Sequence, residues 1–168
     1  MSEVHYNILF LSNRNSARSI FAEAVANRLG GRHFTGFSAG MQPAKDIDPL
    51  VLDILNSAHY STAGLHPKSW EDFAHDRAPA LDFVFTLCNP VVGEALPRWP
   101  GRPVTADWRY SDPQDSQGEQ WQRRKQLGGI LASLERQFKI FMVLPFKSLD
   151  AMSLRERLRE LGETAGAK

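Results

Sequence analysis

Short apolar runs alternate along this chain with longer segments whose apolar residues recur every three or four positions. Runs of the first kind are typical of buried strands, and the second spacing is typical of amphipathic helices. Strands are therefore predicted at residues 6–11, 34–39, 81–87 and 104–108. Helices are predicted at residues 20–29, 49–55, 70–74 and 120–143, followed by a closing amphipathic helix built on Leu154, Leu158 and Leu161.

The order of these elements predicts the fold class. Strands that alternate with helices favour an α/β sandwich around a parallel sheet, here a mainly four-stranded one. The continuous apolar content of residues 81–87 suits a central strand that is covered on both faces. At 168 residues, one domain is the default, so we expect a single domain over residues 1–168 with a C-terminal helical extension at about residues 146–163.

Seven mostly small or polar residues, 12–18, separate the first predicted strand from the first predicted helix. A tight loop in this position aims several backbone N–H groups and the positive end of the helix macrodipole at one point. Such a loop is a nest for a tetrahedral oxyanion. Arg18 lies at its end, where a planar guanidinium could clamp two oxygens of a phosphate or arsenate. The loop therefore predicts a site for a phosphate, arsenate or sulfate-like anion.

Composition and charge narrow the choice of partner. A formal net charge of +1 gives no electrostatic reason to expect a nucleic acid or a membrane surface as partner, and the basic cluster at residues 123–125 is interpreted as a solvated helix face. No apolar run approaches the length of a membrane span, and residues 1–6 lack the apolar core of a signal peptide. A single cysteine excludes an internal disulfide framework. We therefore expect a cytoplasmic protein.

Metal and nucleotide chemistry have no sequence support. The five histidines show no metal-ligand spacing. The loop at residues 12–18 also lacks the Gly-Lys-Ser/Thr ending of nucleotide-binding loops. We accordingly expect no metal and no cofactor.

The loop and a downstream dipeptide resemble a known family. Asn15-Ser-Ala-Arg-Ser19 after a strand, with Asp112-Pro113 far downstream, is similar to the low-molecular-weight protein tyrosine phosphatases and, more closely, to their relatives, the thioredoxin-coupled arsenate reductases. The resemblance covers about residues 7–162 and implies a three-layer sandwich. It includes residues 81–88 and the motifs Phe37-Ser-Ala-Gly40, Lys68-Ser-Trp70, Trp99-Pro-Gly101 and Ser148-Leu-Asp150.

Ser12 stands where this family has its nucleophilic cysteine, which attacks phosphorus or arsenic as a thiolate. A helix N-terminus and a nearby arginine lower a cysteine pKa from about 8.5 to roughly 3.5–7.5. An alcohol ionises far less readily and needs an adjacent general base. The histidine nearest in sequence, His5, lies at the opposite end of the predicted strand. Ser12 is therefore expected to hydrogen-bond an oxyanion without attacking it.

Two explanations of Ser12 stay open, an engineered cysteine-to-serine trap and natural divergence. The related reductases pass the oxidation to thioredoxin through further cysteines, and Cys88 falls where the second belongs. The third position holds Leu96, and Arg14 replaces a glycine that is frequent in the family loop. A trap requires neither change, so natural divergence is favoured and thioredoxin coupling is not expected. Cys88 is then interpreted as a small buried hydrophobic residue rather than a redox thiol.

The resemblance also assigns roles to other positions. The expected oxyanion-binding residues are Asn13, Arg14, Asn15, Ser16, Ala17, Arg18 and Ser19. Asn15 would orient the loop backbone and Ser19 would donate to the group at position 12; the alternative is that both cap the helix. Arg14 is either a second anion contact or a plug across the loop mouth. Asp112 would be the general acid of a phosphatase; the alternative is a simple Asp-Pro turn.

Three functions are compatible with these residues. The first is an arsenate reductase or tyrosine phosphatase relative, inactivated by design or working by altered chemistry. The second is a pseudoenzyme that holds phosphate, arsenate or a phosphorylated ligand without turnover. The third is an interaction protein in which the loop is a structural relic. The sequence favours anion binding without the usual thiolate catalysis.

Overall fold

The computed structural model describes residues 4–88, 97–110 and 118–166 of the chain. The strands are β1 (Tyr6–Ser12), β2 (Phe34–Gly40), β3 (Phe83–Thr86) and β4 (Val104–Asp107). The α-helices are α1 (Arg18–Leu29), α2 (Pro49–Ser57), α3 (Gln120–Met142) and α4 (Ala151–Gly166), and a 3-10 helix spans Trp70–Phe73. None of the helices in this part of the chain combines the length and the hydropathy that a membrane span requires.

The strands form one parallel sheet in the order β2-β1-β3-β4. The register places Leu9 of β1 between Phe37 of β2 and Val84 of β3. The chain runs outward from β1 to β2 and then returns to the other side of β1 for β3, so the strand order changes direction between β1 and β3. Binding sites of such sheets lie at this point, beyond the carboxyl ends of the strands. The predicted α/β fold with a four-stranded parallel sheet is confirmed.

Both faces of the sheet are buried, but different kinds of structure cover them. One face packs against side chains of α1, α2, α3 and α4 and carries Ile8, Phe10, Phe83 and Phe85. The other face carries Leu9, Leu11 and Val84, with Phe37 of β2 beside Leu9, and it packs against the aromatic side chains of Trp70, Phe73 and Trp99. Because β1 and β3 have no solvent-facing side, their sequences are continuous apolar runs rather than alternating ones.

The strand β3 is shorter than the apolar run that predicts it. Leu81 and Leu87 lie outside Phe83–Thr86, yet both are fully buried. The Leu81 N–H donates to the Pro100 carbonyl at 2.9 Å, and the Leu87 N–H donates to the Leu11 carbonyl at 2.8 Å. Flanking backbone segments thus bury apolar residues beyond the ends of the strand, so hydrophobicity alone does not mark its bounds.

Two of the basic residues on α3 form ion pairs with α2. Arg123 pairs with Asp48 and Arg124 pairs with Asp53. Asp48 is also the N-cap of α2, so one carboxylate both caps that helix and joins it to α3. The interpretation of residues 123–125 as a solvated face is wrong for Arg123, which pairs with the largely buried Asp48 carboxylate, whereas Arg124 stays exposed.

The closing helix α4 packs through its predicted apolar stripe, since Leu154, Leu158 and Leu161 are buried in the core. Its N-terminus is capped by Asp150, whose Oδ1 accepts a hydrogen bond from the Ser153 N–H at 2.7 Å. This bond lowers the pKa of the Asp150 carboxyl. The helix is thus fixed both at its start and along its apolar face.

Gly162 sets how closely α4 approaches the sheet. A Cβ atom built at this position would lie 2.3 Å from the Asp107 carbonyl oxygen and 2.9 Å from Trp108 Cδ1. By contrast, a Cβ atom at Gly129 of α3 would meet nothing within 4 Å. A glycine is therefore required at the first position and not at the second.

We expect opposite effects from the same substitution at these two positions. Gly129→Ala should raise the free energy of unfolding by about 0.5–1 kcal/mol, because alanine favours the helix. Gly162→Ala should lower it by about 1–3 kcal/mol, because the added methyl group forces α4 away from β4. Urea unfolding followed by tryptophan fluorescence measures both changes. Stabilisation by Gly162→Ala would show that α4 does not pack this closely.

Candidate functional site

The loop at residues 12–18 connects β1 to α1 at the carboxyl edge of the sheet. Ser12, the last residue of β1, pairs in register with Gly40 of β2, and Leu11 pairs with Thr86 of β3. The loop therefore lies over the two central strands, at the edge where parallel sheets place their binding sites.

Four carbonyl groups of the loop are held by the segment that follows β2. They accept hydrogen bonds from backbone N–H groups within residues 41–48. The accepting carbonyls, with their distances of 3.3, 2.8, 2.8 and 3.2 Å, belong to Ser12, Asn13, Arg14 and Ser16. In a trans peptide the N–H points opposite to the carbonyl. The N–H groups of residues 13, 14, 15 and 17 consequently face away from residues 41–48.

The Ser12 hydroxyl lies on the side to which the Asn15 N–H points. That N–H donates to Ser12 Oγ at 3.2 Å, and the two hydroxyl oxygens of Ser12 and Ser19 are 2.6 Å apart, with either able to donate. All three residues are buried. Neither an amide N–H nor a second hydroxyl accepts a proton at neutral pH, so these contacts give Ser12 no general base.

Asn15 fixes the turn of the loop. Its φ of 51° lies in the left-handed region, which asparagine adopts more readily than most residues. Its side chain is 0% exposed and bonded at both ends: Nδ2 donates to Ser19 Oγ at 2.8 Å, and Oδ1 accepts from the Lys68 N–H at 2.8 Å. The alternative that Asn15 and Ser19 cap α1 is wrong, because the N-cap is Ala17 and no side chain caps it.

A buried ion pair supports this contact from outside the loop. Lys68 Nζ lies 3.3 Å from Glu23 Oε1, with the two side chains 14% and 9% exposed. The same carboxylate oxygen accepts from the Ser38 N–H at 2.9 Å and from the Ser38 hydroxyl at 3.1 Å. The Lys68 carbonyl also accepts from the Gly40 N–H at 2.8 Å. Lys68 therefore connects Asn15 both to α1, through Glu23, and to β2, through Gly40.

The sequence interpretation assigned no role to either member of this pair, although Lys68 lies in the motif Lys68-Ser-Trp70. Glu23 lies four residues after Ser19, which places it on the same face of α1, and a carboxylate on that buried face is a signal that points to it. Lys68 has no comparable local signal, because it follows Asn15 by 53 residues.

The Arg18 side chain reaches across the edge of the sheet. It is only 6% exposed, and Nη1 donates to the Tyr110 carbonyl at 2.9 Å. Tyr110 comes three residues after the end of β4, and its N–H donates to the Leu87 carbonyl at 3.0 Å. The guanidinium is thus held beside the ends of β3 and β4, at the same edge as Ser12.

Two further loop residues and a neighbouring glycine complete the site. Arg14 is exposed, whereas Asn13 is half-buried. Asn13 Oδ1 is a buried oxygen without a hydrogen-bond partner among the described residues, and reversing the amide would place its Nδ2 donor there. A Cβ atom at Gly40 would lie 3.0 Å from the Asn13 carbonyl oxygen and 3.0 Å from Asn15 Cβ. The predicted close passage of β2 beside the loop therefore requires this glycine.

Cys88 directly follows Leu87 at the edge of the sheet that carries the loop, and it is buried. Its burial agrees with its interpretation as a small hydrophobic residue. The predicted general acid, Asp112, and the third cysteine position, Leu96, lie outside the described residues. Within residues 4–88, 97–110 and 118–166, no three His, Cys, Asp or Glu residues are grouped so that they could hold a metal ion.

Comparison with known proteins relates this geometry to a family. Residues 7–150 match the family model for low molecular weight phosphotyrosine protein phosphatases. A glutaredoxin arsenate reductase of Synechocystis sp. is 27% identical over 106 residues, which cover 63% of this chain and 77% of the relative. An arsenate reductase of Oceanobacillus iheyensis is 29% identical over 120 residues, which cover 68% of this chain and 81% of the relative.

Solved structures have the same fold. An arsenate reductase in the phosphate binding state aligns with a TM-score of 0.66 at 22% identity, over 82% of this chain and 96% of its own. A thioredoxin-dependent arsenate reductase of Corynebacterium glutamicum aligns with a TM-score of 0.56 at 25% identity, over 83% of this chain and 65% of its own. Since the family match spans residues 7–150 of 168, this chain belongs to the low molecular weight phosphotyrosine protein phosphatase family, close to its arsenate reductases.

Proposed function

We propose that this chain binds a tetrahedral oxyanion, phosphate or arsenate, in the loop at residues 12–18 and does not carry out the thiolate chemistry of its family. The observation that carries the proposal is the arrangement of the loop peptides. Four carbonyls are tied to residues 41–48, so the N–H groups of residues 13, 14, 15 and 17 face the opposite side. Amide groups that share one side, next to the first turn of a helix, form an anion nest.

Arg18 supplies the positive charge for this nest. The guanidinium carries its N–H donors in a planar fork that matches two oxygens of a tetrahedral anion. Its burial at the sheet edge places that charge in a medium of low dielectric constant, where its attraction to an anion is stronger than in water. The bond from Nη1 to the Tyr110 carbonyl orients the group.

Ser12 acts as a ligand in this proposal and not as a nucleophile. A serine attacks only when an adjacent base accepts its proton, and the contacts of Ser12 with Asn15 and Ser19 supply none. His5, the nearest histidine in sequence, bonds to Arg32 and Thr35 instead. The hydroxyl of Ser12 would donate one hydrogen bond to the bound anion.

The relatives support the class of ligand. The chain is similar to two proteins named arsenate reductases, and a structure of the same fold is described as an arsenate reductase in the phosphate binding state. Arsenate and phosphate have the same tetrahedral shape and charge, so a site for one accepts the other. The alternative is an active enzyme that carries an engineered substitution at Ser12. In that case, a cysteine at position 12 would restore enzyme activity.

The first prediction concerns Arg18. The protein should bind inorganic phosphate and arsenate in isothermal titration calorimetry. Arg18→Ala should weaken that binding by at least about tenfold, because a hydrogen bond to a charged group contributes roughly 1.5–3 kcal/mol. Arg77→Ala, at an exposed arginine, is the matched control and should leave the affinity unchanged. Full affinity in the Arg18 variant would place the anion elsewhere, and no binding by the native chain would refute the proposal.

The second prediction concerns Ser12→Cys. The nest and Arg18 should lower the pKa of the new thiol below the ordinary value of about 8.5, because both stabilise a thiolate. The pH dependence of alkylation by iodoacetamide measures this, with the native chain and its buried Cys88 as the background. An unshifted or raised pKa would contradict the nest.

The same Ser12→Cys variant tests how much of the enzyme is left. Turnover of an aryl phosphate would mean that the site lacks only its nucleophile, and Asp112→Asn in that background should then reduce the rate if Asp112 is the general acid. Thioredoxin-coupled arsenate reduction by the variant would show that a cysteine at the Leu96 position is dispensable. Lack of both activities, with a lowered thiol pKa, would leave anion binding as the function of the loop.

The third prediction concerns the support for Asn15. Lys68→Met should lower the free energy of unfolding by roughly 3 kcal/mol, because it leaves the buried Glu23 carboxylate without its ionic partner. Adding Glu23→Gln should recover part of this loss, since the neutral side chain keeps an oxygen for Ser38. Urea unfolding of the two single variants and the double variant measures the coupling. Additive effects would show that the pair is not energetically linked.

A further inference from the structure

The closing helix α4 lies beyond the residues that match the family model, which end at position 150. It packs against β4 and α3 rather than extending into solvent. The Trp108 indole N–H donates to the Leu158 carbonyl at 3.1 Å, in a buried contact. The absence of a side chain at Gly162 lets the same helix lie against Asp107. The helix is therefore fixed to the strand that precedes Tyr110.

Gln137 of α3 is a buried amide that joins α4 to Tyr110. Its Nε2 donates to the Leu161 carbonyl at 3.3 Å, and its Oε1 accepts from the Tyr110 hydroxyl at 2.7 Å. Burial raises the pKa of the Tyr110 phenol well above its ordinary value, so the hydroxyl keeps the proton that it donates. The Gln137 amide thus bonds to α4 through its nitrogen and to Tyr110 through its oxygen.

Tyr110 in turn holds Arg18. Its phenol ring is fixed through Gln137, and its backbone is fixed through the bond from its N–H to the Leu87 carbonyl at 3.0 Å. Its carbonyl then accepts Arg18 Nη1 at 2.9 Å. An arginine side chain loses about 2 kcal/mol of rotamer entropy when it is fixed, so a preset acceptor reduces what an anion must order on binding.

We propose that Gln137 is a positioning residue through which α4 sets the orientation of the Arg18 guanidinium. The hydrogen bonds run from the Leu161 carbonyl through Gln137 and Tyr110 to Arg18. The consequence for anion affinity rests on the function proposed above, whereas the orientation of Arg18 is a property of the protein without ligand. The alternative is that Gln137 merely satisfies two buried polar groups of the core, and the experiment separates the two.

The test uses the full chain with two substitutions that break the chain of bonds at different points. Tyr110→Phe removes only the hydroxyl, and Gln137→Met replaces the amide with an apolar group of similar length. Tyr60→Phe is the control, because it removes a tyrosine hydroxyl that bonds to Glu135 of α3 and leaves these bonds in place. The readout is the Nε–Hε signal of Arg18 in nitrogen–proton spectra of the anion-free protein, assigned by its disappearance in Arg18→Lys, together with unfolding in urea.

Tyr110→Phe and Gln137→Met should both shift the Arg18 signal and speed its hydrogen exchange, and the double variant should do no more than either alone. Tyr60→Phe should leave the signal in place. Phosphate affinity should fall by about three- to tenfold in the two test variants, on the scale of one lost hydrogen bond. If either Tyr110→Phe or Gln137→Met fails to fold, the other variant still provides the test.

An unchanged Arg18 signal in the folded Tyr110→Phe or Gln137→Met protein would overturn the proposal, whatever happens to stability. A shifted signal in a chain that never binds phosphate would support the positioning role while refuting the proposed function. Phosphate binding of equal affinity in the native chain and in both variants, with an unchanged Arg18 signal, would support the proposed function and refute the positioning role.

Discussion

The side-chain amide of Asn15 is the contact on which the geometry of the loop depends. A left-handed conformation costs a non-glycine residue about 1–2 kcal/mol, and it persists only where the surroundings hold it. Here one end of the amide bonds to the Lys68 backbone and the other to the Ser19 hydroxyl. The same turn directs the Asn15 N–H at Ser12. One buried side chain therefore fixes both the direction of the loop peptides and the two hydroxyls at their centre.

The parts of the molecule that the sequence predicts are those whose causes are local. The strand, polar loop and helix around residues 6–29 follow one another directly, so their pattern predicts both the fold at this point and the anion nest. The supports are not local. Lys68 meets Asn15 across 53 residues and Arg18 meets Tyr110 across 92, and contacts at such separations leave no periodic trace in the sequence. For the same reason the ends of β3 could not be predicted, since distant backbone segments bury Leu81 and Leu87 as thoroughly as a strand would.

Arg18 is held from a different direction than the loop that contains it. Lys68 and its ion-pair partner Glu23 of α1 support the loop at Asn15. Arg18 instead bonds to Tyr110, which follows β4 and is itself bonded to Gln137 of α3. The bonds of Asn15 and the bond of Arg18 to Tyr110 thus come from different parts of the chain. In the proposed function, the affinity for an anion would depend on how well the guanidinium is aligned with the N–H groups of the loop.

The charge of the residue at position 12 decides what this arrangement can do. A nest stabilises any negative charge that lies in it. When position 12 holds a thiolate, the nest stabilises the nucleophile itself. An anion then enters against a like charge, and that repulsion is strong in a buried site. Ser12 is an alcohol and stays neutral, so position 12 itself presents no negative charge to the N–H groups of the loop. A serine in place of the thiolate would therefore remove both the nucleophile and its repulsion of an entering anion, which is the electrostatic basis of the binding function proposed above.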